Sequence, residues 1–128
     1  MIAKRSVSFL LLALLISCSA VQVKPGAERV IVSRTAAPQG CKFISTVTGS
    51  QGGALSGPFT SNRTMAEGAM NDLKNKAFDA GANYVVLETN QAGNTMSGGA
   101  GTGGGGEQTD VTNVGNAYKC PPELIGLN

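Results

Sequence analysis

A short stretch near the start of the chain has the residue types needed for covalent lipid attachment. Leu15-Ile16-Ser17-Cys18 matches the lipobox of bacterial lipoproteins, in which the Leu fits the signal peptidase and the Cys thiol accepts the lipid. A basic start and the apolar run over residues 7–16 precede it. A run of about ten residues suits a signal-peptide core and is well short of the ~20 residues of a membrane-spanning helix. We predict that residues 1–17 form a lipoprotein signal peptide and that Cys18 is acylated; the alternative is an ordinary secretory signal with a coincidental cysteine.

The residue after the acylated cysteine indicates the destination of a lipoprotein. In enteric-type bacteria an Asp at this position retains the protein in the inner membrane, and this chain has Ser19. We therefore predict the outer membrane, with the protein lipid-anchored on the periplasmic side. A lipoprotein cysteine carries two or three acyl chains, which is enough for stable attachment. Residues 18–29 are polar and contain Pro and Gly, so we expect a lipidated tether that reaches ~30 Å when extended.

The other two cysteines, Cys41 and Cys120, predict a disulfide. An exported protein meets an oxidising compartment, where a cysteine pair in a small domain favours a structural bond. In the chain-entropy model such a bond stabilises the fold by up to about 4–5 kcal/mol. Two free thiols or metal ligands are the alternatives, but the chain contains no His and therefore lacks the commonest partner of Cys at a zinc site.

Composition argues against nucleic-acid binding and against the commonest forms of catalysis. The chain has ten Lys and Arg and eight Asp and Glu, and Lys4 and Arg5 leave with the signal peptide, so the mature chain is near neutral. Binding to nucleic acid would need a concentrated basic patch, and we expect none. Without His the commonest general base is missing, and no Ser lies in a Gly-x-Ser-x-Gly motif. We predict no catalytic residues, so the protein is not expected to be an enzyme.

Two weaker patterns suggest a cofactor or a metal. Residues 99–104 match Gly-x-Gly-x-x-Gly, but a dinucleotide site needs that motif between a strand and a helix, and a glycine tract matches it by chance. Glu107 and Asp110 stand beside the tract and could bind a divalent cation weakly; keeping the loop soluble is the simpler role. We predict neither a cofactor site nor a metal site.

The elements expected around these residues follow the order β-β-α-β-β. We predict one α/β domain of the α+β type over residues 30–121, with one helix packed on a sheet. Its strands are predicted at residues 30–32, 42–48, 84–89 and 110–118, a flexible glycine-rich loop at 90–109, and a tail at 122–128.

The helix is the best-defined of these elements. Thr64 and Glu67 have the spacing of a capping box, which predicts that the helix begins near Thr64. Gly81 predicts its end, because Gly readily takes the left-handed conformation that closes a helix. The expected buried stripe consists of Ala66, Ala69, Met70, Leu73, Ala77 and Ala80.

The order of these features resembles a family of small proteobacterial lipoproteins of unknown function. The resemblance covers roughly residues 30–121, and its most specific parts are the helix at residues 66–77 followed by Gly81-Ala82-Asn83, and the final Tyr118-Lys119-Cys120-Pro121. That family is similar in turn to the signalling domain of the Rcs outer-membrane stress-sensor lipoprotein. The resemblance implies a small, disulfide-braced domain that faces the periplasm and has no known catalysis.

The sequence therefore predicts an outer-membrane lipoprotein with an interaction or structural domain. Its partners would be the membrane, through the lipid, and an envelope protein. An accessory envelope-stress sensor of the Rcs type is the runner-up, and a small-ligand binder is third. The sensor has two disulfides and a long linker, whereas this chain has cysteines for one disulfide and a short tether.

Overall fold

The computed structural model describes residues 19–53, 60–96 and 106–127. The predicted signal peptide, Cys18 and the glycine motif at residues 99–104 lie outside these ranges. Within the described part, a four-stranded sheet packs against one long helix. The elements are β1 (Ile31–Ser33), β2 (Lys42–Gly52), α1 (Asn62–Asp79), β3 (Tyr84–Met96) and β4 (Gly106–Lys119). The predicted β-β-α-β-β order and the α+β class are confirmed.

The sheet has the strand order β1-β3-β4-β2. β3 is parallel to β1 and antiparallel to β4, which is also antiparallel to β2. β2 and β3 therefore point the same way with β4 between them, so β2, α1 and β3 form a split β-α-β unit. All four strands have one end beside the C-terminal end of α1. We call this the closed end of the domain, and the opposite end, where α1 begins, the hairpin end.

The prediction of a flexible loop over residues 90–109 is wrong for most of that segment. β3 continues to Met96 and β4 starts at Gly106, and the two strands stay paired from Tyr84↔Tyr118 to Met96↔Gly106. Glycine composition indicated mobility because Gly has the most backbone freedom to lose. Pairing of β3 with β4 offsets that cost because it satisfies the backbone N–H and C=O groups. The pairing register shifts within this segment at Gly93/Asn94, which is typical of a β-bulge.

The helix begins two residues earlier than expected, and its cap is a different residue. Ser61 is the N-cap, and its hydroxyl oxygen accepts a hydrogen bond from the Thr64 backbone N–H at 3.1 Å. The Ser61 hydroxyl donates in turn to the Thr64 hydroxyl oxygen at 2.7 Å, so Thr64 supports the cap instead of providing it. At the other end, Gly81 has φ of 86° and closes the helix as predicted.

The buried face of α1 also differs slightly from the predicted stripe. Ala69, Leu73 and Ala77 are fully buried as expected, but Ala66 and Ala80 are exposed. Met65 and Asn75 are buried in their place. The main apolar core joins this face to β2, β3 and β4, through Val30, Val47, Leu73, Ala77, Ala82, Val85 and Ala117.

Gly49 sets how closely α1 approaches the sheet. A Cβ atom at this position would lie under 3.0 Å from backbone atoms of Leu73 and Ala69. The helix backbone therefore rests directly on β2, and no other residue type fits there without moving the helix.

We predict that Gly49→Ala destabilises the protein by about 1–3 kcal/mol, because the added methyl group forces α1 away from β2. Urea denaturation followed by circular dichroism measures the free energy of unfolding. Ser50→Ala, at the next and exposed position of β2, is the matched control and should change it by no more than about 0.5 kcal/mol. Equal stability of the Gly49→Ala variant and the wild type would contradict the close contact.

Candidate functional site

The closed end of the domain is held together by the side chain of Asn83. Its amide nitrogen donates to the Cys120 carbonyl at 2.8 Å, and its amide oxygen accepts from the Cys120 backbone N–H at 2.8 Å. Its backbone carbonyl accepts from Ile31, and its backbone N–H donates to Tyr118. One residue thus connects the starts of β1 and β3 to the end of β4.

The predicted disulfide between Cys41 and Cys120 forms at the same end. It joins the residue before β2 to the residue after β4, across a sequence separation of 79 residues. Cys120 is 1% exposed, so the bond is part of the interior. The segment after it does not behave as the expected free tail, because residues 122–124 form a 3-10 turn and the Leu127 N–H donates to the Pro122 carbonyl.

A groove lies between this C-terminal segment and the end of α1. Its first depression has a volume of about 230 Å³, and a second of about 270 Å³ adjoins it, with Arg29 and Leu127 lining both. The rest of the lining is mainly apolar or glycine, with Gly26, Val30, Phe78, Gly81, Ala82, Asn83 and Lys119 in the first depression and Pro122 and Gly126 in the second. We call these two depressions together the closed-end groove.

Glycines and an exposed aromatic ring give this groove its shape. Phe78 is 42% exposed, unusual for a large apolar side chain next to a core. Gly26 has φ of 93°, and a Cβ there would lie 2.9 Å from the Phe78 ring, so the missing side chain makes room for the ring. Nothing lies within 4 Å of a Cβ at Gly81, so its side of the depression is open.

The charged residues that line the groove are both cations. Arg29 and Lys119 are exposed, and among the described residues neither makes an ion pair. Two acids lie near the groove: Glu28 accepts from the N–H of Gly26, which lines the groove, at 2.6 Å, and Asp79 pairs with Lys24 at 2.6 Å. The groove therefore combines apolar walls with positive charge, which suits an anionic ligand that also has apolar groups.

A second depression of about 360 Å³ lies beside the short strand β1. Val32, Ser33, Arg34, Met70, Lys74 and Leu87 line it. It too has two cations, but it is formed only where β1 stops beside β3, and neither the disulfide nor the C-terminal segment supports it. We therefore take the closed-end groove as the stronger candidate.

The N-terminal segment, predicted to be part of a tether, is instead bound along α1. The Val21 N–H donates to the Gln51 side chain at 2.8 Å, and the Asn71 amide donates to the Val21 carbonyl at 2.9 Å. The Asn75 amide donates to the Gln22 carbonyl at 2.9 Å and accepts from the Lys24 N–H at 2.7 Å. The segment predicted as a lipidated tether over residues 18–29 is therefore bound to the domain from Val21 onward. We call residues 21–26 the strap.

Sequence reasoning missed the strap because its partners are amides that are distant along the chain. The signal was the pair Asn71 and Asn75, four residues apart on one face of a helix, where Asn is a poor helix former. Asn75 is only 6% exposed, and a buried amide needs hydrogen-bonding partners. The strap backbone supplies them.

In the rest of the described residues, few side chains that could bind a metal or take part in catalysis lie close together. Residues 19–53, 60–96 and 106–127 hold no group of three or more His, Cys, Asp and Glu close enough for a metal ion. No helix within them is both long and apolar enough to cross a bilayer. The fully buried Asn113 faces α1 opposite Gly49, and its amide has no hydrogen-bond partner there, but it lines none of the depressions described above.

Comparison with known proteins identifies the family. Residues 21–120 match the family model described as a domain of unknown function, DUF4156. The chain belongs to this family. The first residue matched by the family model is Val21, where the strap begins, and the last is the disulfide-bonded Cys120. The family domain therefore extends from the start of the strap to the disulfide.

Curated relatives agree with this assignment. The chain is 31% identical over 101 residues to the uncharacterized protein YjeI of Escherichia coli K12, and equally to YjeI of Shigella flexneri. The alignments cover 79% of this chain and 70% of each relative. No solved structure matches the chain.

We predict that Asn75→Ala releases the strap while the domain stays folded. The change leaves the Gln22 carbonyl and the Lys24 N–H without partners, at a cost of about 1–3 kcal/mol. Hydrogen–deuterium exchange at Val21 and Lys24 should become faster, and exchange in β3 should not.

Lys74→Ala is the matched control, because Lys74 neighbours Asn75 on α1 but makes no hydrogen bond to the strap among the described residues. Unchanged exchange at Lys24 in the Asn75→Ala variant would show that the strap is held by other contacts.

Proposed function

We propose that this protein is an outer-membrane lipoprotein whose domain faces the periplasm and acts by binding an envelope protein, without catalysis. The observation that carries the proposal is the placement of the closed-end groove relative to the point where the chain enters the domain. The groove lies at the closed end, and the strap starts on the side nearer the hairpin end.

The strap sets the direction in which the chain enters the domain. Residues 21–26 run along α1 from Asn71 toward Asp79, so Val21 is the strap residue nearest the hairpin end. Cys18 is three residues before Val21, which at ~3.3 Å per residue allows a reach of only ~10 Å. Acylated at Cys18, the domain would sit close to the bilayer with its hairpin end nearest the lipid and the groove directed away from it.

The construction of the groove supports contact with a protein in preference to chemistry. Its volumes of about 230 and 270 Å³ suit side-chain anchors, and protein partners typically bind through a few such anchors. The disulfide and Asn83 keep the closed end rigid, and a preformed surface loses less entropy on binding.

An accessory envelope-stress sensor of the Rcs type is the second candidate. It rests on the resemblance of the chain to a family of small lipoproteins that is similar in turn to the signalling domain of that sensor. Deletion of the gene, followed by measurement of a stress reporter under envelope damage, separates it from the first candidate. A changed reporter output supports sensing, and an unchanged output eliminates it.

We predict that a clickable palmitate analogue labels the protein in growing bacteria and that Cys18→Ala abolishes the label. Ser17→Ala keeps a small residue in the lipobox and is the matched control, so its label should persist. Ser19→Asp should retain the protein in the inner membrane, as membrane fractionation would detect. Label that survives Cys18→Ala would contradict acylation at this residue.

We predict that a photo-crosslinking residue at Phe78, on the wall of the groove, captures an envelope protein in intact cells. Mass spectrometry then identifies the captured protein. The same residue at Glu67, exposed near the start of α1 and far from the groove, is the control and should not capture it. Capture of the same proteins from both positions, or no protein from Phe78, would contradict the groove as the binding surface.

A further inference from the structure

We propose that the closed-end groove recognises an acidic peptide segment of its partner, with a carboxylate side chain held by Arg29 and Lys119 and apolar side chains seated in the two depressions. This inference rests on the proposed binding function and specifies the chemistry of the partner.

The charge of the groove requires an anion. Arg29 and Lys119 line it, and no acidic side chain does. The nearest acid in the C-terminal segment is the exposed Glu123, which lies outside the lining. The carbonyls of Lys76, Ala77 and Phe78 accept hydrogen bonds from Ala80, Ala82 and Gly81. The end of α1 still carries the partial negative charge of the helix dipole, so Arg29 and Lys119 must supply the attraction for an anion.

The walls of the groove require apolar groups on the same ligand. Val30 and Ala82 are 2% and 4% exposed and form the base of the first depression, beside the Phe78 ring. Asn83 also lines it, but its side-chain amide is bonded to Cys120. The groove therefore binds through apolar contact and charge, with few polar groups left to orient a sugar or a nucleotide.

Size and connectivity favour a peptide over a small molecule. Small-molecule sites usually enclose about 300–1,000 Å³ in one concave pocket. Here the volume is divided between two depressions that meet at Arg29 and Leu127. A ligand that fills both places apolar groups on either side of Arg29, so its carboxylate lies within the segment. This arrangement points to an Asp or Glu side chain and not to a chain terminus.

The test measures binding of fluorescent hexapeptides to the full-length lipidated protein in nanodiscs by anisotropy. Each peptide of the panel contains two Leu and one Glu, which occur in every order across the panel, and both of its ends are blocked. Each peptide is matched by two partner peptides as controls, one with Glu→Gln and one with Leu→Ser. We expect at least one peptide to bind, with each partner peptide binding more weakly. Binding should also weaken as salt is raised, because the pairs are exposed.

Variants of the protein locate the binding site. Arg29→Glu combined with Lys119→Glu should weaken binding roughly tenfold or more, because two attractive pairs become repulsive. Arg34→Glu combined with Lys74→Glu reverses the same number of charges in the depression beside β1, outside the groove lining, and is the matched control. An equal loss in the control, or no peptide that binds better than its Gln partner, overturns the inference.

These outcomes are separate from those of the proposed function. If Phe78 captures a protein in cells but the peptides do not bind, the binding role stands and the acidic-peptide chemistry is wrong. A peptide with a free C-terminus that binds while every blocked peptide fails would also overturn the assignment to an acidic side chain.

Discussion

The close approach of α1 to β2 at Gly49 is the constraint on which the rest of the domain depends. Because the helix backbone rests on the strand, no side chain fits between them at Gly49, and several other core positions are also small, among them Ala69 and Ala77 on α1 and Ala117 on β4. Each small residue buries less apolar area than a larger one would, and small domains are marginal in this respect. The disulfide between Cys41 and Cys120 compensates by restricting the unfolded chain.

Two side-chain amides satisfy backbone groups that a neighbouring strand would satisfy in regular secondary structure. The Asn83 amide bonds the N–H and the C=O of Cys120, and the Asn75 amide bonds the C=O of Gln22 and the N–H of Lys24. In each case an amide occupies the place of a neighbouring strand and satisfies an N–H and a C=O together. These contacts determine where the chain enters and leaves the domain. They therefore shape the groove at the closed end and set the direction in which the strap approaches it.

The sequence predicted the parts of this structure that local patterns specify. Short β-branched and apolar runs, one of them alternating, predicted the strands, and the disulfide followed because two cysteines remained after Cys18 was assigned to lipid. The helix start was misplaced because Ser61 and Thr64 are both good caps, and the tertiary structure selects Ser61. The glycine-rich segment was misread because pairing of β3 with β4 is non-local. The groove was unpredictable because Arg29, Phe78 and Lys119 are brought together only by the packing of α1 and the end of β4.

The strap also determines how the domain would bear mechanical load. A pull on the chain before Val21 is directed along α1, so it slides the strap parallel to the helix. The bonds to Gln51, Asn71 and Asn75 are then loaded together, in shear, and do not open one after another. Tension that arrives at the N-terminus would be shared between α1, through these bonds, and the chain itself, because the strap continues directly into Gly26 and Arg29, which line the groove.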